Sequence, residues 1–191
     1  MILIGIGANL PSPRYGEPRA TCGAALSALT EARLSIAARS RWYKSAPVPA
    51  SDQPWFINGV IHVKTALGPG PLMALLLETE EAFGRNRAER NEARVLDLDL
   101  LAYGDMISEE NGAAGKGGLR LPHPRLHERA FVLLPLLDIA PDWRHPVSGQ
   151  SVRDMIEALP PGQKTEALPD AGGDFGAEER ESNAINTKDH R

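Results

Sequence analysis

A single cysteine, Cys22, stands in a chain of 191 residues, so no internal disulfide can form and a fold held by cross-links is excluded. Cys22 lies in an alanine-rich stretch with helical spacing, where a small buried side chain is expected rather than a nucleophile. No apolar run approaches the roughly 20 residues needed to cross a bilayer. The opening MILIGIGANL has no basic segment ahead of its short apolar run, so it reads as a strand and not as a signal peptide. A cytoplasmic protein without a membrane partner is expected. Positive charge is not in excess either: the net charge of −4 at pH 7 argues against broad nucleic-acid binding, which needs a basic surface. Internal repeats are absent. From Pro160 to Arg191 large apolar side chains nearly vanish while Gly, Pro, Asp, Glu and Asn accumulate. Such a segment cannot offset the entropy of ordering, so residues 160–191 are expected to form a disordered tail behind one domain spanning 1–159.

Within that domain the apolar content, 42% over the whole chain, is that of an ordinary globular protein. Ile2 to Ala8 suits a buried first strand closed by a turn. Ala25, Leu26 and Leu29 recur at helical spacing after Pro18, which gives a first helix. Leu34, Ile36 and Ala38 alternate with polar residues toward Trp42 and Tyr43, and Ser45 to Pro49 ends regular structure. Trp55 to Thr65 resumes the alternation, with Ile57, Ile61 and Val63 on one face and Phe56, Asn58, Val60 and His62 on the other. These two strands should pair antiparallel. After Gly68 to Pro71, the spacing of Leu72, Leu75, Leu76, Thr79 and Phe83 predicts a second helix ending at Gly84. Glu109 to Gly118 reads as a glycine-rich insertion, and Ser151 as the cap of a short last helix.

The strongest chemical signal is GRNRAERNEARVLDLDLLAYG, Gly84 to Gly104. Period-two alternation puts Leu96, Leu98, Leu100 and Ala102 on one face of a strand and Val95, Asp97, Asp99 and Leu101 on the other. Two carboxylates roughly 7 Å apart along a strand repel each other unless a cation sits between them. Magnesium suits that position, because it takes hard oxygen ligands and keeps places for water and phosphate. Arg85, Arg87, Arg90 and Arg94 precede the pair, and a guanidinium grips phosphate oxygens through its planar fork of donors. Cation, carboxylates and arginines together suggest a nucleotide polyphosphate. The order strand, helix, strand, strand, helix, strand is that of an α+β, ferredoxin-like βαββαβ sheet with its helices on one face, here with C-terminal additions.

Five stretches in this order, namely GANL at Gly7, WYKSAP followed by QPWFIN, GRNR, RVLDLDLLAYG and LPHPRLHERAFVLLPL, carry a resemblance to the 6-hydroxymethyl-7,8-dihydropterin pyrophosphokinase family over about Met1 to Leu159. The resemblance implies transfer of pyrophosphate from ATP to a pterin alcohol in folate biosynthesis. It implies two magnesium ions on Asp97 and Asp99. ATP contacts are implied at Glu80, Arg85, Arg87, Arg90, Arg94, His123 and Arg129. Arg85 and Arg94 join the two aspartates as the catalytic set, and Arg87 and Arg90 lie on a loop that in the family closes over the substrates. Asn91-Glu92-Ala93 departs from the aromatic, glycine and proline common there. The pterin pocket implied is Ser45, Ala46, Val48, Phe56, Asn58 and Phe131, with Ser45 in place of a threonine and Ala46 in place of a proline common in relatives. A flat bicycle needs apolar walls and a few edge-on hydrogen bonds, which two phenylalanines and an asparagine supply.

A monomer is expected, with ATP and the pterin as its partners. Asp-x-Asp also binds metal in nucleotidyl and glycosyl transferases, which release other products. An RNA-binding role for a ferredoxin-like sheet is opposed by the acidic balance and by the lack of a K/R-G-F/Y-G/A-F motif.

Overall fold

In the computed structural model, which describes residues 1–84, 93–109 and 119–169, strand β1 (Ile2–Ala8) is an interior strand of the sheet. It pairs antiparallel with β4 (Phe56–Lys64) on one side and β5 (Asp97–Tyr103) on the other. Strands β2 (Ser35–Arg39) and β3 (Tyr43–Ser45) both pair with the far edge of β4. Helix α1 (Pro18–Glu31) joins β1 to β2, and α2 (Pro69–Ala82) joins β4 to β5. The helices begin at prolines, whose fixed φ suits a first turn. Past the end of α2, Gly84 takes φ +91°, a left-handed position that glycine occupies without strain. The connectivity is the ferredoxin-like one expected.

Alternation sorts the side chains into two layers. Ile4, Ile6, Ile61, Val63, Leu98 and Leu100 meet Leu26 and Leu29 of α1 and Leu72 and Leu76 of α2. Each fully buried aliphatic side chain contributes on the order of 1.5–3 kcal/mol. On the opposite face, Leu3, Val60 and Leu101 meet Val132, Leu133 and Leu136 of α3 (Ala130–Ile139) and Val152 and Met155 of α4 (Val152–Glu157). Ser151 caps α4 as expected, in a reciprocal box with Asp154. The C-terminal additions thus cover the face that the first two helices leave bare, but only toward one end of it. None of the described helices is long and apolar enough to cross a membrane.

The structure departs from the expected strand pattern in two places. Ala102 belongs to the α3 layer and not to the leucine face. The register slips between Leu3 and Ile4, so that Ile4 faces Leu100 and Leu3 faces Ala102, with Leu101 the extra residue. One inserted residue exchanges the faces of everything after it. The run from Leu34 to Tyr43 is two strands rather than one, because the chain leaves the ladder around Trp42, whose ring packs against Gly59. Ser40 spans the break, its Oγ accepting the Val60 N–H at 3.0 Å.

The expected tail boundary at Pro160 is too early. Residues 165–167 form a further strand, β8 (Thr165–Ala167), paired with β3. Lys164 O accepts the Ala46 N–H at 3.0 Å, and Leu168 N–H donates to Trp42 O at 2.9 Å. Backbone pairing orders this segment, and a count of large apolar side chains does not register backbone donors. Residues 110–118 of the expected insertion and 170–191 of the tail lie outside the described residues, as do 85–92. The flanks of the insertion, β6 (Ser108–Glu109) and β7 (Arg120–Leu121), pair with each other.

A Cβ added at Gly59 would stand 2.9 Å from Trp42 Cζ3, and Trp42 is only 3% exposed. Gly59→Ala is expected to lower stability by about 1–3 kcal/mol through overpacking, read by urea denaturation followed through tryptophan fluorescence. An unchanged midpoint would show that the ring relaxes freely.

Candidate active site

The uncovered part of the second face owes its shape to glycine. Gly7 lies between Asn58 of β4 and Asp97 of β5, and Gly5 between Val60 and Asp99. Cross-strand partners share a face, so bare backbone separates the asparagine from the aspartates. A Cβ at Gly7 would come within 2.9 Å of Asn58 Oδ1. Beside Gly7 opens a cavity of about 360 Å³.

The cavity has two chemically distinct ends. At one, Arg94, Asp97, Asp99, His123 and Arg129 converge; at the other, Ser45, Ala46, Val48, Phe56, Asn58 and Phe131 do. These are eleven of the residues expected from sequence, drawn from five separate parts of the chain. Asn58 Nδ2 donates to Ser45 Oγ at 2.7 Å, and both residues are buried. That bond fixes the amide and turns Asn58 Oδ1 toward the glycine strip.

Charge at the first end is tightly balanced. Arg94 forms an ion pair with Asp97, and the Arg129 guanidinium lies 3.6 Å from Asp99 Oδ2 while its Cζ sits 5.5 Å over the Phe131 ring. Asp99 touches the cavity, with 37% of its side chain accessible, yet protein surrounds it on most sides. Burial first, then the neighbouring Asp97 charge, push its carboxyl up to about 7 against the pull of Arg129. His123 Nε2 is 4.0 Å from Asp99 Oδ2, and its Nδ1 accepts the Arg125 N–H at 3.1 Å. A neutral ring bonded in this way carries its proton on Nε2, facing the cavity. Burial and the Arg129 charge hold its pKa down to about 4, so it is a neutral donor at pH 7. Burial also lowers the pKa of Arg129.

A hard cation fits this donor set. The carboxylate end is costly to ionise as it stands, and a divalent ion would favour both charges. Among the described residues no group of three or more His, Cys, Asp or Glu gathers as a cage. Two carboxylates with open positions suit magnesium, which keeps water and phosphate oxygens in its shell.

Two residues hold this end in place from outside it. Asn9 is 1% exposed; its Oδ1 accepts the Arg94 N–H at 2.6 Å, and its Nδ2 donates to Gln53 Oε1 at 3.2 Å and Pro54 O at 3.1 Å. It therefore joins the approach to β5 to the loop beside the aromatic end, where Gln53 lines the cavity. Glu80, expected beside a nucleotide, is not brought to the cavity. It is fully buried on α2, and its Oε1 accepts the Leu98 N–H at 2.7 Å, between the two aspartates in sequence. Asn9 and Gln53 escaped sequence reasoning as site residues, although the GANL and QPWFIN runs that contain them stood out. Arg85, Arg87 and Arg90 lie outside the described residues. Cys22 is buried, its thiol pushed up to about 12 by burial, and has no nucleophilic character. His145 accepts the Val147 and Ser148 N–H groups on Nδ1, each at 3.3 Å, as a turn organiser.

Replacing Asn9 by alanine strands the Arg94 N–H and should cost about 1–3 kcal/mol, the usual penalty for a buried group left unsatisfied. Gln53→Ala removes only one acceptor of Asn9 Nδ2, which keeps Pro54 O, and should cost less. Equal unfolding midpoints for Asn9→Ala and Gln53→Ala in urea would reject Arg94 N–H as the partner that matters.

The family model described as 7,8-dihydro-6-hydroxymethylpterin-pyrophosphokinase matches residues 3–141. A Synechocystis protein named 2-amino-4-hydroxy-6-hydroxymethyldihydropteridine pyrophosphokinase is 39% identical over 157 residues, 82% of this chain and 75% of the relative. A Pseudomonas aeruginosa protein of the same name is 38% identical over 162 residues, 83% of this chain and 91% of the relative. In fold, the chain is similar to the Plasmodium falciparum HPPK-DHPS crystallised with pteroate, at TM-score 0.64 and 13% identity, covering 82% of this chain and 44% of that one. With the family model matched through both halves of the sheet and relatives this similar over most of their length, the chain belongs to the 7,8-dihydro-6-hydroxymethylpterin-pyrophosphokinase family.

Proposed function

We propose that the two ends of the cavity seat the two substrates, ATP phosphates at Asp97, Asp99, Arg94, His123 and Arg129, and the pterin ring at Ser45, Ala46, Val48, Phe56, Asn58 and Phe131. The activity is the family's: transfer of the pyrophosphoryl group of ATP to 6-hydroxymethyl-7,8-dihydropterin, giving AMP and the pterin diphosphate in folate biosynthesis. The single observation that carries this reading is the juxtaposition in one cavity, built on bare glycine backbone, of a charged end and an aromatic end.

Chemically, the pterin hydroxymethyl oxygen gives its proton to solvent and forms a bond to the β-phosphorus while the bond from that phosphorus to the α-phosphate oxygen breaks. The α-phosphate departs as AMP. Magnesium, two ions in this reading, would when bound by Asp97 and Asp99 neutralise phosphate oxygens and orient them. The chain's own residues do the rest. Arg129 and Arg94 are fixed cations, already oriented by their aspartate partners, and they supply charge where the phosphoryl oxygens gather it. His123 offers an N–H without adding charge. Phe56 and Phe131 give the ring flat walls, and the Asn58–Ser45 pair reads its polar edge. Holding both substrates in one cavity converts a two-body encounter into a positioned one. Every side chain in this reading comes from one chain, so a monomer is sufficient.

Incubation with ATP, magnesium and 6-hydroxymethyl-7,8-dihydropterin should release AMP. Release of pyrophosphate instead would indicate nucleotidyl transfer and overturn the reading. Asp97→Asn and Asp99→Asn should each lower turnover by about a hundredfold or more, since an amide loses the charge that holds magnesium. The melting temperature of Asp99→Asn should hold or rise, because burial and the neighbouring Asp97 disfavour its charge. Turnover near that of the unaltered chain in either would reject the magnesium assignment. Asn58→Ala should raise KM for the pterin and leave KM for ATP nearly unchanged; a rise in the ATP value alone would reverse the assignment of the two ends.

A further inference from the structure

Beyond residue 141, where the family match ends, the chain passes behind the cavity and touches both of its walls. Gln163 is the hinge of this contact. Its Nε2 donates to Glu128 O at 2.7 Å, and its Oε1 accepts the Ala130 N–H at 2.9 Å. Those two peptide groups flank Arg129. Ala130 begins α3, and the residue at its N-cap is Arg129 itself, in extended conformation and with no side-chain capping bond of its own. First-turn N–H groups of a helix need a partner from outside the ladder. Here the partner comes from a segment more than thirty positions away.

The next residues grip the other wall. Lys164 O accepts the Ala46 N–H, and Thr165 lies opposite Ser45 in the β3–β8 pairing. Between residues 163 and 165, therefore, the chain is bonded both to the peptide planes that aim Arg129 at Asp99 and to the strand that carries Ser45. Arg129 is also held at its backbone by the start of its own helix, where its C=O accepts from Val132 and Leu133. A tilt of the peptides on either side would swing its guanidinium away from Asp99 Oδ2, now 3.6 Å away.

We propose that Gln163 is a positioning residue for the reaction, acting through Arg129: its amide side chain fixes the two peptide groups around Arg129 and so sets where that guanidinium meets the phosphates. This rests on the assignment of Arg129 to the phosphate end, and the test separates the two. Gln163→Met keeps the volume and removes both hydrogen bonds; Gln163→Glu keeps the acceptor for Ala130 N–H and removes the donor to Glu128 O. Glu166→Gln, on the exposed side of β8, is the control for substitution in this segment.

In the full chain without substrates, the Arg129 Nε resonance in nitrogen-15 NMR should shift or broaden in Gln163→Met, less so in Gln163→Glu, and stay in place in Glu166→Gln. That readout is independent of any reaction. With substrates, Gln163→Met should lower kcat/KM for ATP by about tenfold, a modest displacement of a positioned group, at a melting temperature within a few degrees of the unaltered chain. In an Arg129→Ala background the same substitution should have no further effect, the non-additivity expected of residues that act as a unit. An unmoved Arg129 resonance overturns the proposal, as does a full tenfold loss that persists in the Arg129→Ala background. If the unaltered chain makes no AMP, the functional reading falls and the resonance still decides whether Gln163 positions Arg129.

Discussion

The pairing of β1 with both β4 and β5 is the constraint on which the rest depends. It is an interior strand whose ladder is filled on both sides, yet on one face it carries glycine at positions 5 and 7. An ordinary side chain at position 7 would fill the gap between Asn58 and Asp97 and meet Asn58 Oδ1 directly, and one at position 5 would press on the Leu101 side chain. Because they are absent, α3 and α4 cover only the end of the face where Leu3, Val60 and Leu101 stand. The cavity is the remainder. Packing energy on one half of a sheet face and an open site on the other thus come from one strand's choice between aliphatic side chains and none.

Charge at the site is arranged as a set of partial neutralisations. Each aspartate has an arginine, yet Asp99 still sits among enough protein and close enough to Asp97 that its charged form is disfavoured. Such a site gains from any ligand that brings positive charge to the carboxylates and negative charge to the arginines together. A metal–polyphosphate complex does both. Among the described residues, no comparable charge lines the aromatic end of the cavity, where the Asn58–Ser45 bond and two phenylalanines favour a flat, polar-edged ring. The two ends thus differ in the chemistry they favour.

Placement of these groups depends on bonds made far from the chemistry. Asn9 holds the backbone of Arg94, Glu80 holds the peptide of Leu98 from beneath the sheet, and Gln163 holds the peptides around Arg129. All three are side chains bonded to backbone groups that would otherwise lack a ladder partner. Where strands end and helices begin, backbone donors and acceptors must find partners, and here those partners also set the direction of the charged groups next to them.

The order of strands and helices was legible in the sequence because alternation and helical spacing act over a few residues, and so was the division of β5 into a leucine face and an aspartate face. The candidate site residues of the described segments were picked out by their motifs, and all but Glu80 line one cavity. What local pattern did not reveal were features made by distant partners. The bulge at Leu101 exists because β1 and β5 must match over their full length. The break before β3 exists because Trp42 packs on Gly59 of another strand. Strand β8 is ordered by backbone hydrogen bonds to β3, which no count of apolar side chains records. Glu80 read as a nucleotide ligand and is instead a buried acceptor for a strand N–H, a role fixed by where α2 lies against β5. Residue type and spacing determined which chemistry this chain carries, since those are properties of the side chains themselves; only the tertiary structure decided which backbone groups each buried polar side chain would satisfy, because that depends on which segments the fold brings within a bond's length.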